Sequence, residues 1–440
     1  MSSPQPASHD GFSALTRNVR RTHLPNGLTI LTKEVHTHPI VAAMIWYRVG
    51  SRNEELGHTG KSHFLEHMMF KGTERLGKGE IDLLTQIRGG RNNAFTWLDF
   101  TAYYFTFASD RWEMALEIEA DRIRNTSFAP EEFESEKQVI IEELQMGLDS
   151  PFELLENEVW ATAFRQHPYH SPTVGWLQDV QGVTVEDMKR YYDQWYQPRN
   201  ATVVLVGDFE TEQAIARVTE LFGHLPAGPE PPAMKIVEPP QRGEKRVIVK
   251  KITPVERLMI AYHAPEIAHS DSYALHVASM LFSHGRTSRL YQRLQEKDQS
   301  VTMAYASYNE HIDPSLFYIQ AEIKSGHTLA AVEQAIYEEI DRLATEPIPD
   351  AELKKAKRQI EAMYVLGNED VLNQATLLGE YETTANRPEL PEEERGYRYL
   401  DAYLHRTREV TTAEIQRVMR TYLHPDHRTV GYLVNDPKES

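Results

Sequence analysis

A proline-rich stretch near the middle of the chain does most to limit how this sequence can fold. Six prolines fall between His224 and Gln241, and such a density of proline is typical of a linker between domains. A chain of 440 residues is also longer than one ordinary hydrophobic core supports. We therefore predict a flexible tail, a first domain, the linker and a second domain, with the bounds 1–18, 19–224, 225–243 and 244–440.

The two predicted domains repeat one order of elements. Each begins with strands, continues with an apolar helix and further helices, and ends in a late strand. The predicted strands cover Arg20–Lys33 (a hairpin), Ile40–Val49 and Ala201–Asp208 in the first domain, and Lys245–Ile252, Glu256–His263 and Arg428–Val434 in the second. We predict an α+β fold of two similar domains, each a mostly antiparallel sheet packed with helices, that arose by duplication.

The apolar helix of the first domain carries three ionisable residues. His63, Glu66 and His67 stand among apolar residues at positions 64, 65 and 68–70, just after Gly60. Residues four apart in a helix share one face, so the two imidazoles point to the same place. Two neutral imidazoles suit a zinc ion, and a carboxylate that is not itself a ligand can take a proton from water there. The order His-x-x-Glu-His inverts the commoner zinc-peptidase motif.

The alternative is a chance pair of histidines with structural roles. With 19 histidines and 65 acidic residues in the chain, a chance match to this pattern has a probability of about one in twenty. Polar groups on so apolar a helix, however, need partners to offset their burial. We therefore predict a zinc site with one Zn²⁺ per chain.

A zinc ion held by two imidazoles and a water molecule needs a third protein ligand. We predict a helix from Pro130 to about Leu148, in which Glu136 and Glu143 share one face two turns apart. Acidic residues on a helix are usually solvated, but apolar neighbours surround these, so at least one carboxylate should point inward. Spacing alone leaves both Glu142 and Glu143 open as the third ligand.

The stretch from Ala94 to Ala108 is rich in aromatic and β-branched residues and predicts one or two strands. We expect the first to be an edge strand close to the metal. An edge strand can bind an extended peptide as an added strand, independent of the peptide's sequence. On these residues alone, an ordinary interior strand fits equally well.

Composition excludes several classes of function. The chain has no cysteine, which excludes a disulfide framework, a thiolate metal site and a cysteine nucleophile. The net charge of −18 argues against nucleic acid as a partner. No apolar run is long enough for a membrane span, and Met1–Asp10 lacks the apolar region of a secretory signal. We expect a soluble protein, either cytoplasmic or periplasmic.

Three segments resemble the pitrilysin/insulinase family of zinc peptidases, the inverzincins of family M16. They are residues 60–73, Asn93-Ala94-Phe95-Thr96 and Glu136–Glu143. The resemblance is closest to the short-chain branch, which includes bacterial processing-peptidase-like proteins and the β subunit of the mitochondrial processing peptidase. It implies a zinc-dependent endopeptidase or oligopeptidase that hydrolyses extended, unfolded peptides inside a closed chamber.

The resemblance also implies a role for each matching residue. In this family the third ligand follows another glutamate by seven residues, so Glu143 fits after Glu136 and Glu142 does not. Glu136 would then orient a ligand. The implied assignments are the zinc ligands His63, His67 and Glu143, the general base Glu66, and the substrate-binding residues Asn93, Ala94 and Phe95.

One expected pair of residues is missing. Active family members carry an Arg and, seven residues later, a Tyr in the second domain, where Gln295 and Thr302 stand here. Losing one oxyanion donor costs about 2.7–4 kcal/mol. We therefore predict the zinc subunit of a heterodimer whose related, non-zinc partner supplies Arg and Tyr. The alternatives are a non-catalytic assembly subunit, or a self-sufficient homodimeric peptidase in which Arg289, Arg293 or Tyr305 replaces the missing pair.

Overall fold

The structure is a computed structural model that describes residues 15–436. Residues 1–14, most of the predicted flexible tail, lie outside the described residues. The strands of the first sheet are β1 Arg20–His23, β2 Thr29–Glu34, β3 Ile40–Tyr47, β4 Arg91–Thr96, β5 Thr101–Ala108 and β6 Ala201–Gly207. They lie in the order β1-β2-β6-β3-β5-β4, so β4 is an edge strand, as predicted.

The second sheet has the same topology without a counterpart of β1. Its strands are β7 Lys245–Lys251, β8 Arg257–Ala264, β9 Val301–Tyr308, β10 Ser315–Ile323 and β11 Arg428–Asn435. They lie in the order β7-β11-β8-β10-β9. In each sheet the late strand pairs in parallel with an early strand, β6 with β2 and β11 with β7. All other strand pairs are antiparallel. This confirms two similar α+β domains.

Helices cover both sheets. They are α1 Lys61–Met68, α2 Glu80–Ile87, α3 Glu113–Asn125, α4 Pro130–Asp149, α5 Pro151–Ala163, α6 Leu177–Gly182, α7 Val185–Trp195, α8 Thr211–Phe222, α9 Ser272–Ser283, α10 Leu329–Thr345, α11 Asp350–Gly367, α12 Val371–Thr384, α13 Tyr399–Glu409 and α14 Thr412–Tyr422. The helix before each late strand begins with the same capping box, Thr184 with Asp187 in α7 and Thr411 with Glu414 in α14. Each box satisfies amides that a helix start leaves unpaired.

One helix from each half of the chain packs on the sheet of the other half. α12 packs on β3 and β6, where its Ala375 and Leu378 belong to one core with Trp46. α5 packs on β7, β8 and β11, where Leu155 and Val159 share a core with the second sheet. The predicted bounds at 224/225 and 243/244 therefore remain predictions from sequence.

The prediction of further helices between α9 and the last strand, with no strand among them, was wrong. Residues 301–323 form the hairpin of β9 and β10, and a π-helical turn over Tyr291–Lys297 leads into it. Buried and half-buried residues alternate from Ala304 to Tyr308, but the residue types of β9 do not alternate between apolar and polar, so no period of two marked this strand in the sequence. Within residues 15–436, no helix is both long and apolar enough to cross a membrane.

Candidate metal centre

A buried carboxylate and a contact between two glycines fix the start of α1. Gly60 has a φ of +87° and packs against Gly175; a Cβ on Gly60 would come 2.6 Å from the carbonyl oxygen of Val174. Glu54 accepts hydrogen bonds from the backbone N–H groups of Gly60 at 2.7 Å and Ser62 at 2.6 Å. These are amides that a helix start leaves unpaired. Glu54 was not predicted from the sequence, because only the folded chain brings it to α1.

α1 and α4 together bring three donor groups to one place. Phe64 stacks on Phe133 with ring centroids 4.7 Å apart, which sets α1 against α4. Glu143 then lies with Oε1 at 3.8 Å from Nε2 of His63 and Oε2 at 3.6 Å from Nε2 of His67. The candidate ligand atoms of these three residues all lie within 4.8 Å of one another.

The three donors fit a zinc ion. Ligands at about 2.0–2.2 Å from a tetrahedral zinc lie about 3.4 Å apart, close to the His–Glu separations. Burial, with His67 alongside, lowers the pKa of His63 to about 3, so this ring is neutral and can donate a lone pair. Its Nδ1 is buried without a hydrogen-bond partner among the described residues, which leaves Nε2 as the polar contact of the ring. Glu142 and Glu143 are both exposed, but of the two only Glu143 belongs to this group, so the distances and not the burial distinguish them.

A second carboxylate on α4 holds the ring of His67. Glu136 Oε1 lies 2.8 Å from His67 Nδ1, and the other oxygen of Glu136 pairs with the ammonium group of Lys71. Burial opposes the charge, but the hydrogen bonds from His67 and Lys71 hold the pKa of Glu136 below its usual value. A carboxylate at Nδ1 keeps the proton there and leaves the lone pair of Nε2 facing Glu143. Lys71 was also missed, although it follows His67 by four residues on the same helix face.

Glu66 neighbours this group of donors without joining it. Thr96 Oγ1 on β4 donates a hydrogen bond of 2.5 Å to Glu66 Oε2. Burial raises the pKa of Glu66 despite that bond, and the charge of Glu143 adds to the shift. A carboxyl group whose pKa lies closer to neutral is better matched to proton transfer.

A fully buried ion pair on α3 lies behind Glu66. Arg122 donates to Glu119 through Nε at 2.8 Å and Nη2 at 2.6 Å, and its guanidinium lies 4.4 Å from the ring centroid of Tyr103. The positive charge of Arg122 opposes the upward shift in the pKa of Glu66. In sequence this pair looks like two surface charges three residues apart, so no local pattern could have revealed it.

β4 carries the residues predicted to bind substrate. Asn93, Ala94 and Phe95 all lie in this strand, which pairs with β5 on one side and is the edge of its sheet. The N–H of Ala94 donates to Oδ1 of Asn93 at 2.9 Å. The ring of Phe95 packs on Trp46, 5.5 Å between centroids, on the face of the sheet that α12 covers. Thr96, at the end of the same strand, joins this edge to Glu66.

The positions of the missing Arg and Tyr lie at the edge of the second sheet. Gln295 is in the π-helical turn, and Thr302 is exposed on β9, where its hydroxyl donates to Glu322 at 3.1 Å. Each of the three substitutes considered from sequence is held by local partners. These are Glu352 for Arg289, Asp298 and Glu338 for Arg293, and Gln320 for Tyr305.

Two family models match most of the chain. The family model described as insulinase, peptidase family M16, matches residues 29–175, and the model described as the peptidase M16 inactive domain matches residues 182–360. The chain belongs to peptidase family M16. This M16 chain is 30% identical over 363 residues to the zinc protease PqqE of Helicobacter pylori, which covers 81% of this chain and 82% of that protein. It is 26% identical over 414 residues to an uncharacterized zinc protease of Mycobacterium leprae, covering 94% and 91% of the two chains.

Solved structures of M16 relatives have the same fold. A crystal structure of a protease from Helicobacter pylori matches with a TM-score of 0.89 and 28% identity, over 94% of this chain and 99% of that one. A structure described as a peptidase M16 inactive domain from Pseudomonas fluorescens matches with a TM-score of 0.83 at 20% identity. At this identity the match supports a shared fold and no shared function. The sequence relatives are named zinc proteases, which supports a peptidase function for this M16 chain.

Proposed function

We propose that this chain is a zinc-dependent endopeptidase or oligopeptidase that hydrolyses extended, unfolded peptides. The observation that carries the proposal is the convergence of His63, His67 and Glu143 at one point, beside Glu66. Packing of α1 on α4 needs none of these four ionisable side chains, because the phenyl stack and the apolar core already join the two helices.

The chain's own residues divide the work of hydrolysis. His63, His67 and Glu143 would hold one zinc ion, which when bound supplies the Lewis acidity that polarises a scissile carbonyl and acidifies a water molecule. Glu66 takes a proton from the attacking water and passes it to the leaving amine. Thr96 holds the carboxylate of Glu66 at the end of β4, so the base keeps a constant distance from the substrate strand.

The free edge of β4 supports an extended substrate. A peptide that pairs with the backbone at Asn93–Phe95 is held by main-chain hydrogen bonds, which any unfolded sequence can make. In a folded protein most backbone N–H and C=O groups are already paired, so few of its segments can bind in this way. This selection agrees with the expectation of a closed chamber that admits only unfolded chains.

We further propose that this chain is the zinc subunit of a heterodimer. The local partners of Arg289, Arg293 and Tyr305 support this proposal, because each would have to leave a hydrogen bond or ion pair to reach a substrate. A related, non-zinc M16 subunit that carries the Arg/Tyr pair would supply what Gln295 and Thr302 cannot.

Hydrolysis of a quenched fluorescent peptide tests both proposals. The pure chain should cleave slowly, lose activity with a chelator and regain it with zinc. Because each restored oxyanion donor is worth about 10²–10³ in rate, a partner with the Arg/Tyr pair should raise activity by that factor. Full activity of the pure chain, unchanged by any partner, would support the homodimeric alternative. Absence of zinc and of hydrolysis with every partner would support the non-catalytic assembly subunit.

A further inference from the structure

A large cavity lies between the two domains, on the face of the first sheet that α12 covers. Its volume is about 650 Å³, and much of its wall is aromatic: Phe95 and Trp97 at the end of β4, Tyr308 at the end of β9, and Tyr381 of α12. Trp97 is 58% exposed, so the cavity reaches solvent beside the end of β4. The zinc donors and Glu66 lie on the other face of the sheet and do not line it.

Of the three carboxyl groups that line this cavity, two are not paired with a lysine or an arginine. Glu310 and Glu380 are both in its wall, and none of its lining residues is a lysine or an arginine. Glu310 Oε1 is buried and has no hydrogen-bond partner among residues 15–436. Burial raises the pKa of Glu310 to about 8, with Glu380 adding to the shift, and burial raises the pKa of Glu380 to about 7. Such groups destabilise a fold unless a ligand satisfies them.

The other polar groups of the cavity are already satisfied by the protein. Asp99 accepts hydrogen bonds from His311 at 3.0 Å and from Tyr169 at 2.6 Å. The Nδ1 of His276 lies 2.8 Å from the hydroxyl of Tyr403. Glu310 has a hydrogen bond with the hydroxyl of Tyr399, and the charge of His311 acts on Glu380. Within residues 15–436, however, Oε1 of Glu310 has no partner and neither carboxyl group forms an ion pair with a lysine or an arginine, so these two groups remain for a cationic ligand.

The alternation of β4 connects this cavity to the substrate strand. Thr96 directs its side chain to Glu66, whereas the flanking Phe95 and Trp97 line the cavity on the opposite face. Side chains of an extended peptide added to β4 alternate in the same way. Every second side chain of such a peptide would face the metal centre, and the others would face the cavity.

We propose that the cavity is a subsite for a basic side chain, lysine or arginine, of the bound peptide, with Glu310 and Glu380 as its anionic partners. This inference rests on the proposed function, because the peptide on β4 is what delivers the side chain. The long methylene stem of such a residue packs on aromatic walls, and aromatic faces attract its cationic end. The second domain would then contribute to specificity, although it lacks the zinc motif.

Binding of paired peptides to the Glu66→Gln protein tests the proposal without hydrolysis. The two peptides of each pair differ only by arginine or norleucine at one position, and the position is moved along the peptide one residue at a time. Titration calorimetry should show arginine binding about tenfold or more tighter at alternate positions only, as expected of a charge-assisted, cation–π site. Binding should also release protons as the two carboxyl groups ionise, which appears as a heat that depends on the buffer.

Substitutions in the cavity should remove this preference. Glu310→Gln and Glu380→Gln, each added to Glu66→Gln, should abolish the preference for arginine, and Trp97→Ala should weaken it at a site exposed enough to leave folding intact. Glu369→Gln removes the same charge from an exposed position just before α12 and should change nothing. An arginine preference that survives both cavity glutamine variants would overturn the proposal.

Two further outcomes separate this inference from the proposed function. If the wild-type protein cleaves no peptide with any partner, yet the arginine preference persists, the peptidase proposal fails and the subsite stands. If cleavage is efficient but kcat/KM is equal for the arginine and norleucine peptides at every position, the subsite fails and the peptidase stands. Agmatine that binds as tightly as the arginine peptide would reveal a site for small organic cations and contradict a peptide subsite.

Discussion

The two domains place a helix at the same point of the fold but build it differently. α9 follows β8 as α1 follows β3, and ten of the 12 residues of α9 are buried. In α1, only eight residues long, His63 and His67 face Glu143 on a neighbouring helix. The single histidine of α9, His276, lies against a tyrosine hydroxyl. Both domains thus have a largely buried helix at this point, and under the proposed function the ionisable residues of α1 are additions that serve chemistry.

The carboxyl groups at the starts of α1 and α9 also differ, in the direction of their pKa shifts. Glu54, which binds the first amides of α1, is buried, and burial raises its pKa to about 7. Asp271, at the start of α9, is also buried, but hydrogen bonds from Arg417 and Tyr422 hold its pKa below the usual value. Burial therefore disfavours the charge of the carboxyl group at the start of α1, whereas Arg417 and Tyr422 stabilise the charge of the carboxylate at the start of α9.

The largest expected effect is the loss of the base. Glu66→Gln should lower kcat/KM for a quenched peptide by about 10²–10⁴, the usual worth of a positioned acid–base group, while zinc content stays unchanged. Glu142→Gln removes a charge from an exposed residue of α4 and should leave both quantities at the wild-type level. Retained turnover in Glu66→Gln would refute the assignment of Glu66 as the general base.

A matched pair of core truncations separates packing from chemistry. Leu65 in α1 and Leu281 in α9 are both buried, so each Leu→Ala change should lower the free energy of unfolding by about 2–5 kcal/mol. Only Leu65→Ala should also weaken zinc binding, because it loosens the helix that carries the imidazoles. Urea denaturation and zinc content check the two expectations. Loss of zinc in folded Leu281→Ala would contradict the proposal that only the first domain takes part in zinc binding.

A smaller effect is expected at the residue that orients His67. Glu136→Gln should weaken zinc binding by about 10–100-fold, as loss of a group that orients a metal ligand usually does, without unfolding the protein. Competition with a zinc-sensitive dye measures the affinity. Glu131→Gln, in the exposed first turn of the same helix, is the control, and equal affinities for both variants would refute the orienting role.

The smallest effect concerns pH and the two helix starts. The pKa of Glu54 in the folded protein, about 7, lies above its ordinary 4.5, so the folded state binds this proton more tightly and stability falls as pH rises through that interval. The pKa of Asp271 is lowered from 3.8, so its contribution is present above that pH and is lost as pH falls. Melting temperatures should therefore change less between pH 5 and 8 in Glu54→Gln, and less below pH 4 in Asp271→Asn. Unchanged slopes in both variants would contradict the contrast between the helix starts.

The parts of the site that sequence could predict are those set by local spacing. His63 and His67 are one helical turn apart, so their convergence follows from helix geometry. Glu143 needed a family resemblance as well, because spacing on α4 left Glu142 equally open. Thr96 and Glu54 reach the site only through the packing of β4 and of the loop before α1, which no periodicity reveals.

The fold shows the same limit. The repeated order of strands around an apolar helix was visible in the sequence, and the six-stranded and five-stranded sheets share that order. The hairpin of β9 and β10 was not predicted, and the linker stays a prediction. The packing of α5 on the second sheet and of α12 on the first was not visible, since the path of the chain and not the residue pattern of a helix sets the sheet that it covers.

Zinc content of the purified, unchelated protein tests the central claim most directly. Elemental analysis should find one zinc per folded chain, and dialysis should strip it from Glu143→Ala but not from Glu142→Ala. A folded wild-type protein that carries no transition metal and takes up none from added zinc would contradict the account.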